Sequence, residues 1–137
     1  MTQRILVVDD EPAVNELICD ALRLSRYEAV SAEHGMDALR ILREQRIDLA
    51  IIDVNMPIMS GYDLLERMRA AGMGTPVIIL TARQEREDTR TSFGLGADDF
   101  VRKPFGIEEL TLRVTAILRR SGAAAASSVR TIGTVTI

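Results

Sequence analysis

The segment DLAIIDVNMP, Asp48–Pro57, decides how the rest of the chain folds. Leu49, Ala50, Ile51 and Ile52 are apolar at successive positions, with no polar residue between them. A strand solvated on one face alternates apolar and polar residues. One that does not alternate is buried on both faces, as in a parallel sheet covered by helices on each side. An acid, Asp53, closes the run. The chain thus delivers a carboxylate to the end of a buried strand, where lost hydration has to be replaced.

Outward from this segment, PVIIL over Pro76–Leu80 has the same unbroken apolar character, and ILVV over Ile5–Val8 runs directly into Asp9, Asp10 and Glu11. With Glu28–Ala32, Asp48–Ile52 and Asp99–Arg102 these make five strand-like segments. Helical patterns lie between them. Val14, Leu17, Ile18, Ala21 and Leu22 follow the spacing of a helix with one buried face, and Pro12 suits its first turn. Ala38, Leu39 and Leu42 mark a second helix, and Leu64, Leu65 and Met68 a third that Gly72 is expected to end. Leu110, Val114, Ile117 and Leu118 mark the last. The stretch EREDTRTSFGLGADD is a weaker helix former, with Thr89, Thr91, Ser92 and Gly94 lowering its propensity. It is expected to be helical and loosely held. Strand and helix alternating five times, joined by right-handed crossovers, predict an α/β fold. The expectation is a doubly wound (βα)5 sheet of five parallel strands, with helices on both faces.

The 137 residues suffice for one domain with its own core and not for two. No apolar run approaches the roughly 20 residues of a membrane helix, and no signal peptide opens the chain. Cys19 is the only cysteine, which excludes an intrachain disulfide and a thiolate metal cluster and makes the cytoplasm the expected compartment. A net charge of −3 weighs against nucleic-acid binding by this chain itself. Of the 17 basic residues, Lys103 alone is lysine. Either chance put it there, or that position needs a compact ammonium in place of a planar fork.

Ligands of open parallel sheets bind at the carboxyl ends of the strands, where the strand order reverses. Asp9 and Asp10 end the first strand, Asp53 the third, Thr81 and Ala82 the fourth, and Lys103 with Pro104 follows the fifth. Three carboxylates on one rim call for a hard cation, and an oxygen-only set with room for water suits Mg2+ better than zinc. One carboxylate of such a site can attack a phosphoryl group while the cation and Lys103 offset the charge on the transferring oxygens. A threonine hydroxyl can bind one of those oxygens. His34 has no partner at ligand spacing, so catalysis or metal binding is not expected of it. Cys19 and the methionines between 56 and 73 are read as packing or loop residues.

Four segments, ILVVDDEP, AIIDVNMPIMSGYDLL, PVIILTA and GADDFVRKPF, resemble in order the signatures of the receiver domain of two-component response regulators. The resemblance covers about residues 4–120 and implies the flavodoxin-like strand order 2-1-3-4-5. It implies that Asp53 is the phosphoacceptor and takes its phosphoryl group from a phosphohistidine on a sensor histidine kinase. It implies Mg2+ (or Mn2+) bound by Asp10, Asp53 and the backbone carbonyl of Asn55, with Asp9 acting through water. Thr81 and Lys103 would bind phosphoryl oxygens. Thr81 and Phe100 would form the switch, the ring turning inward as Thr81 moves toward the phosphate. Asn55 and Arg83 would border the route of attacking water, and Ala82 would leave the phosphoryl path open.

After Arg120 the stretch SGAAAASS reads as a linker, and VRTIGTVTI turns strand-like again. This resembles regulators of the OmpR/PhoB type, in which a winged-helix DNA-binding domain follows. The expected organisation is a receiver over 1–120, a linker over 121–130 and the start of a truncated DNA-binding domain over 131–137. DNA would be bound only through that missing domain, and no membrane contact is expected. In this subfamily phosphorylated receivers form homodimers through charged residues of the fourth helix, fifth strand and fifth helix. Asp98, Asp99, Arg102, Glu109, Arg113 and Arg119 stand where such contacts arise. Thr91 and Gly94 depart from the usual charged pair, which implies a weaker or altered dimer face. A competing class is the haloacid-dehalogenase-like phosphohydrolases, which also use an aspartate nucleophile, Mg2+ and a lysine. Those need a second acid two residues after the nucleophile, and Asn55 stands there. A third class is a receiver-like interaction module that never takes phosphate. It usually lacks the acceptor, the acids or the lysine, and all are present here.

Overall fold

The computed structural model describes residues 2–82, 94 and 96–130, with the backbone alone for Ala82 and residues 121–130. The elements are β1 (Arg4–Val8), α1 (Pro12–Leu24), β2 (Glu28–Ala32), α2 (Gly35–Glu44), β3 (Leu49–Asp53), α3 (Gly61–Ala70), β4 (Val77–Ala82), β5 (Asp99–Lys103) and α4 (Ile107–Arg130). All strand pairs are parallel, and the order is β2-β1-β3-β4-β5, as the resemblance implies. The order reverses at β1, which places the ends of β1 and β3 side by side at a switch point.

The two-residue period of the strands sorts their side chains onto two cores. Leu6, Val8, Ala50, Ile52 and Ile79 pack with Ala38, Leu39, Leu64, Leu65 and Met68 of α2 and α3. Ile5, Val7, Leu49, Ile51, Ile78 and Leu80 pack with Ile18, Leu22, Val114 and Leu118 of α1 and α4. Successive residues of β3 thus bury opposite faces, which is why DLAIID shows no alternation.

Two details differ from the sequence reading. The buried stripe of α1 is Asn15, Ile18, Cys19 and Leu22, whereas Leu17 is 55% exposed. The Asn15 amide turns inward and donates to the backbone carbonyls of Val7, Asp9 and Ala32. The last helix also continues past Arg120 to Arg130, through the stretch read as linker. Its alanine run, residues 123–126, has the highest helix propensity of any residue type. Pro12 does open α1, and Gly72, at a left-handed φ of 78°, follows the end of α3. Most of the helix expected over 85–96, including Thr91, lies outside the described residues, as do Arg83 and residues 131–137.

Candidate functional site

The carboxyl rim gathers its acids from strand ends that cannot move apart. Val7 and Val8 of β1 pair with Ile51 and Ile52 of β3, so Asp9 and Asp53 emerge next to one another. Asp9, Asp10 and Asp53 each offer a carboxylate oxygen within 4.8 Å of the other two. Asp9 is fully buried and Asp53 is 1% exposed. Thr81 is also buried, at the end of β4, one register step beyond the pairing of Asp53 with Leu80. Lys103 ends β5. Its Nζ lies 3.1 Å from Asp53 Oδ1, 3.7 Å from Asp9 Oδ2 and 3.9 Å from Glu11 Oε1.

One ammonium does not balance this cluster. Burial pushes the Asp53 carboxyl up to about 6, and the Asp9 charge adds to the rise against the pull of Lys103. Burial also raises Asp9, opposed by the Glu11 backbone N–H that donates to its Oδ1 at 2.9 Å and by Lys103. Burial alone would lower Lys103, but the charges of Asp53, Asp9 and Glu11 outweigh it and hold the ammonium above its ordinary value. Asp9 Oδ2 and Asp53 Oδ1 still have no hydrogen bond of good geometry, for Lys103 reaches Asp53 Oδ1 as an ion pair. Orphaned buried carboxylate oxygens, all hard donors and crowded together, fit a small divalent cation.

The β3–α3 loop presses against the end of β3. Ser60 caps α3, accepting the Asp63 N–H at 3.2 Å while the Asp63 carboxylate accepts the Ser60 N–H at 3.2 Å. Gly61 N–H donates to Val54 O at 3.0 Å. A Cβ at Gly61 would collide with Asp53 O, so only glycine lets α3 start this close to Asp53. Sequence reasoning passed over Gly61, Asn15 and the Glu11 contact to Lys103. The inward polar residue on an otherwise apolar helix face was the available signal for Asn15.

The other expected residues fall into distinct groups. Asn55 is exposed beside Asp53, and its backbone hydrogen bond lowers the Asp53 carboxyl. Phe100 is half-buried on β5 with the Arg102 guanidinium 5.8 Å from its ring centre. Asp99 receives both short contacts of Arg113 Nη1, at 2.9 and 3.0 Å, and Glu109 sits 3.3 Å from Arg113 Nη2. Arg119 is exposed on α4. Asp98 is engaged within the chain, accepting the Val77 N–H at 2.8 Å with Arg69 at 3.7 Å. Cys19 is buried and its thiol is raised by burial, as a packing residue should be. His34 is exposed before α2 and belongs to no acidic or metal-ligating group among the described residues.

A five-stranded doubly wound sheet thus carries three acids, a threonine and a lysine at its switch point. The chain belongs to the response regulator receiver domain family, which it matches over residues 5–115. It is 44% identical over 118 residues to the probable transcriptional regulatory protein TcrX of Mycobacterium tuberculosis, covering 86% of this chain and 50% of that protein. It is 39% identical to the alkaline phosphatase synthesis transcriptional regulatory protein PhoP of Bacillus subtilis, covering 93% and 53%. The chain spans about half the length of the curated relatives it matches. Among solved structures, the receiver domain of the Francisella response regulator 1452 superposes with a TM-score of 0.84 at 32% identity, covering 88% of this chain and 99% of that one. The response regulator TrrA of Thermotoga maritima, solved in complex with Mg2+-BeF, gives 0.76 at 36% identity, covering 84% and 98%. No helix among the described residues is long and apolar enough to cross a membrane.

Proposed function

We propose that this receiver accepts a phosphoryl group on Asp53 from a phosphohistidine of a sensor histidine kinase, and that the modified form controls transcription through a DNA-binding domain of the OmpR/PhoB type. The observation that carries the reading is the buried Asp53 carboxylate, with one oxygen lacking a good hydrogen bond, beside Asp9 and Lys103. Asp10, Asp53 and the Asn55 carbonyl would hold Mg2+ (or Mn2+), with Asp9 acting through water. When bound, the cation neutralises the carboxylates and the phosphoryl oxygens. Asp53 then attacks phosphorus, the P–N bond to the donor imidazole breaks as the acyl O–P bond forms, and the imidazole leaves neutral once protonated. Lys103 and Thr81 bind phosphoryl oxygens, and Thr81 with Phe100 carries the change to the β5–α4 surface.

Asp99, Arg102, Glu109, Arg113 and Arg119 would form a homodimer face there, with Asp98 contributing less because Val77 and Arg69 engage it. The proposed organisation is a receiver over 1–120, a connection over 121–130 and the beginning of the output domain over 131–137. The protein acts in the cytoplasm and is not a turnover enzyme. A phosphohydrolase would need an acid where Asn55 stands. Incubation with acetyl phosphate and Mg2+ tests the reading: intact-mass analysis should show one labile phosphoryl group, mapped to Asp53 and lost in Asp53→Asn. Equal labelling of that variant at the same rate would overturn it.

A further inference from the structure

The one buried amide on α1 touches the acid pocket from behind. Asn15 is 4% exposed. Its Nδ2 lies 3.1 Å from Asp9 O, 3.1 Å from Ala32 O and 3.3 Å from Val7 O. Two hydrogens serve three carbonyls, so one is shared. The other end of the amide is also held, because the Cys19 thiol donates to Asn15 Oδ1 at 3.4 Å. Three oxygens on one side and a thiol donor on the other allow a single orientation of the amide.

Of these carbonyls, that of Asp9 lies past the end of the sheet pairing. The β1–β2 register ends at Val8 and Ala32, and the Asp9 N–H makes a last bond to Ala32 O at 3.1 Å. Beyond it the Asp9 carbonyl has left the ladder. That carbonyl belongs to the peptide joining Asp9 to Asp10, so fixing it fixes the plane from which both acids project.

We infer that Asn15 is a positioning residue for the cation-binding acids, holding the Asp9–Asp10 peptide so that both carboxylates converge with Asp53. The inference rests on the proposed Mg2+ site and adds a residue to it. A purely structural amide and a positioning amide separate in one comparison. In the full chain, Asn15→Ala is set against Leu22→Ala, which empties the same helix face away from the acids. Thermal midpoints are read in chelator, and Mg2+ affinity by titration calorimetry.

Loss of an outer-shell partner of metal ligands weakens affinity by about tenfold or more. Asn15→Ala is expected to show that loss, with slower acetyl-phosphate labelling at limiting Mg2+. Leu22→Ala should lower the midpoint and keep wild-type Mg2+ affinity. Asn15→Thr retains one donor and carries the same comparison, with a smaller loss, where Asn15→Ala does not fold. Wild-type affinity in the Asn15 variants, or an equal loss in Leu22→Ala, overturns the inference alone. A wild-type chain that binds no Mg2+ overturns the cation site and the inference together.

Discussion

The two ends of the sheet use the same residue type in opposite ways. At the amino end, acids complete the hydrogen bonding of strands. Asp48 Oδ2 accepts the Arg4 N–H at 2.8 Å with Arg46 Nε 3.4 Å from its other oxygen, and Asp98 Oδ2 accepts the Val77 N–H at 2.8 Å. At the carboxyl end, Asp9 and Asp53 crowd against each other, each with an oxygen that no good hydrogen bond satisfies. A parallel sheet explains part of this asymmetry. Its first strand residues expose N–H groups that want acceptors, whereas its last residues expose carbonyls that only add to the negative potential of nearby carboxylates. Acids at the amino end stabilise the fold. Acids at the carboxyl end are held buried at a cost in stability.

Acidity should sharpen this contrast most. Asp53 ionises near 6 in the folded chain, against an ordinary value of 3.8. Between those values the folded, metal-free chain holds a proton that the unfolded chain has released. Stability should therefore fall as pH rises through that window and level off above it. The shift corresponds to about 3 kcal/mol. Chemical denaturation in chelator at a series of pH values, for wild type and Asp53→Asn, reads it as a difference. Wild-type stability that rises relative to Asp53→Asn across the window would break the contrast.

Lys103→Arg probes the ammonium beside Asp53 at the carboxyl rim. The ammonium reaches three acids within 3.9 Å, and a planar fork cannot occupy the same point. Weakening a close charged contact by about 1.5–3 kcal/mol reduces the phosphorylated fraction roughly ten- to hundredfold. Phosphate-affinity electrophoresis measures that fraction, and a wild-type value in Lys103→Arg would remove the requirement for a compact charge.

Asp48→Ala acts at the other end with the opposite sign. It strands the Arg4 N–H and should cost about 1–3 kcal/mol in urea denaturation without changing the rate of labelling. An unchanged urea midpoint would mean that water replaces the carboxylate there.

The sequence made the sheet legible because β3 and β4 are buried on both faces, which leaves a pattern no half-solvated strand shows. The acids, Thr81 and Lys103 were legible because strand ends in such a sheet converge on one rim. The rotation of α1 was not. Two overlapping stripes fit its sequence, and the choice depends on strand-end carbonyls contributed by β1 and β2, which no local window contains. Gly61 was hidden for a similar reason, since its need for a missing Cβ arises from Asp53 O across a loop. The helical course of residues 121–130 was not legible because small residues suit a linker and a helix alike.

Thermal unfolding of wild type and Asp9→Asn, first in chelator and then in excess Mg2+, tests most directly whether the carboxyl rim is a cation site held in charge conflict. Asp9→Asn should melt above wild type in chelator, because it removes a buried charge beside Asp53. Mg2+ should raise wild type more than the variant and close or reverse the gap. A variant that melts below wild type in chelator, or a wild type that Mg2+ does not move, would contradict the account.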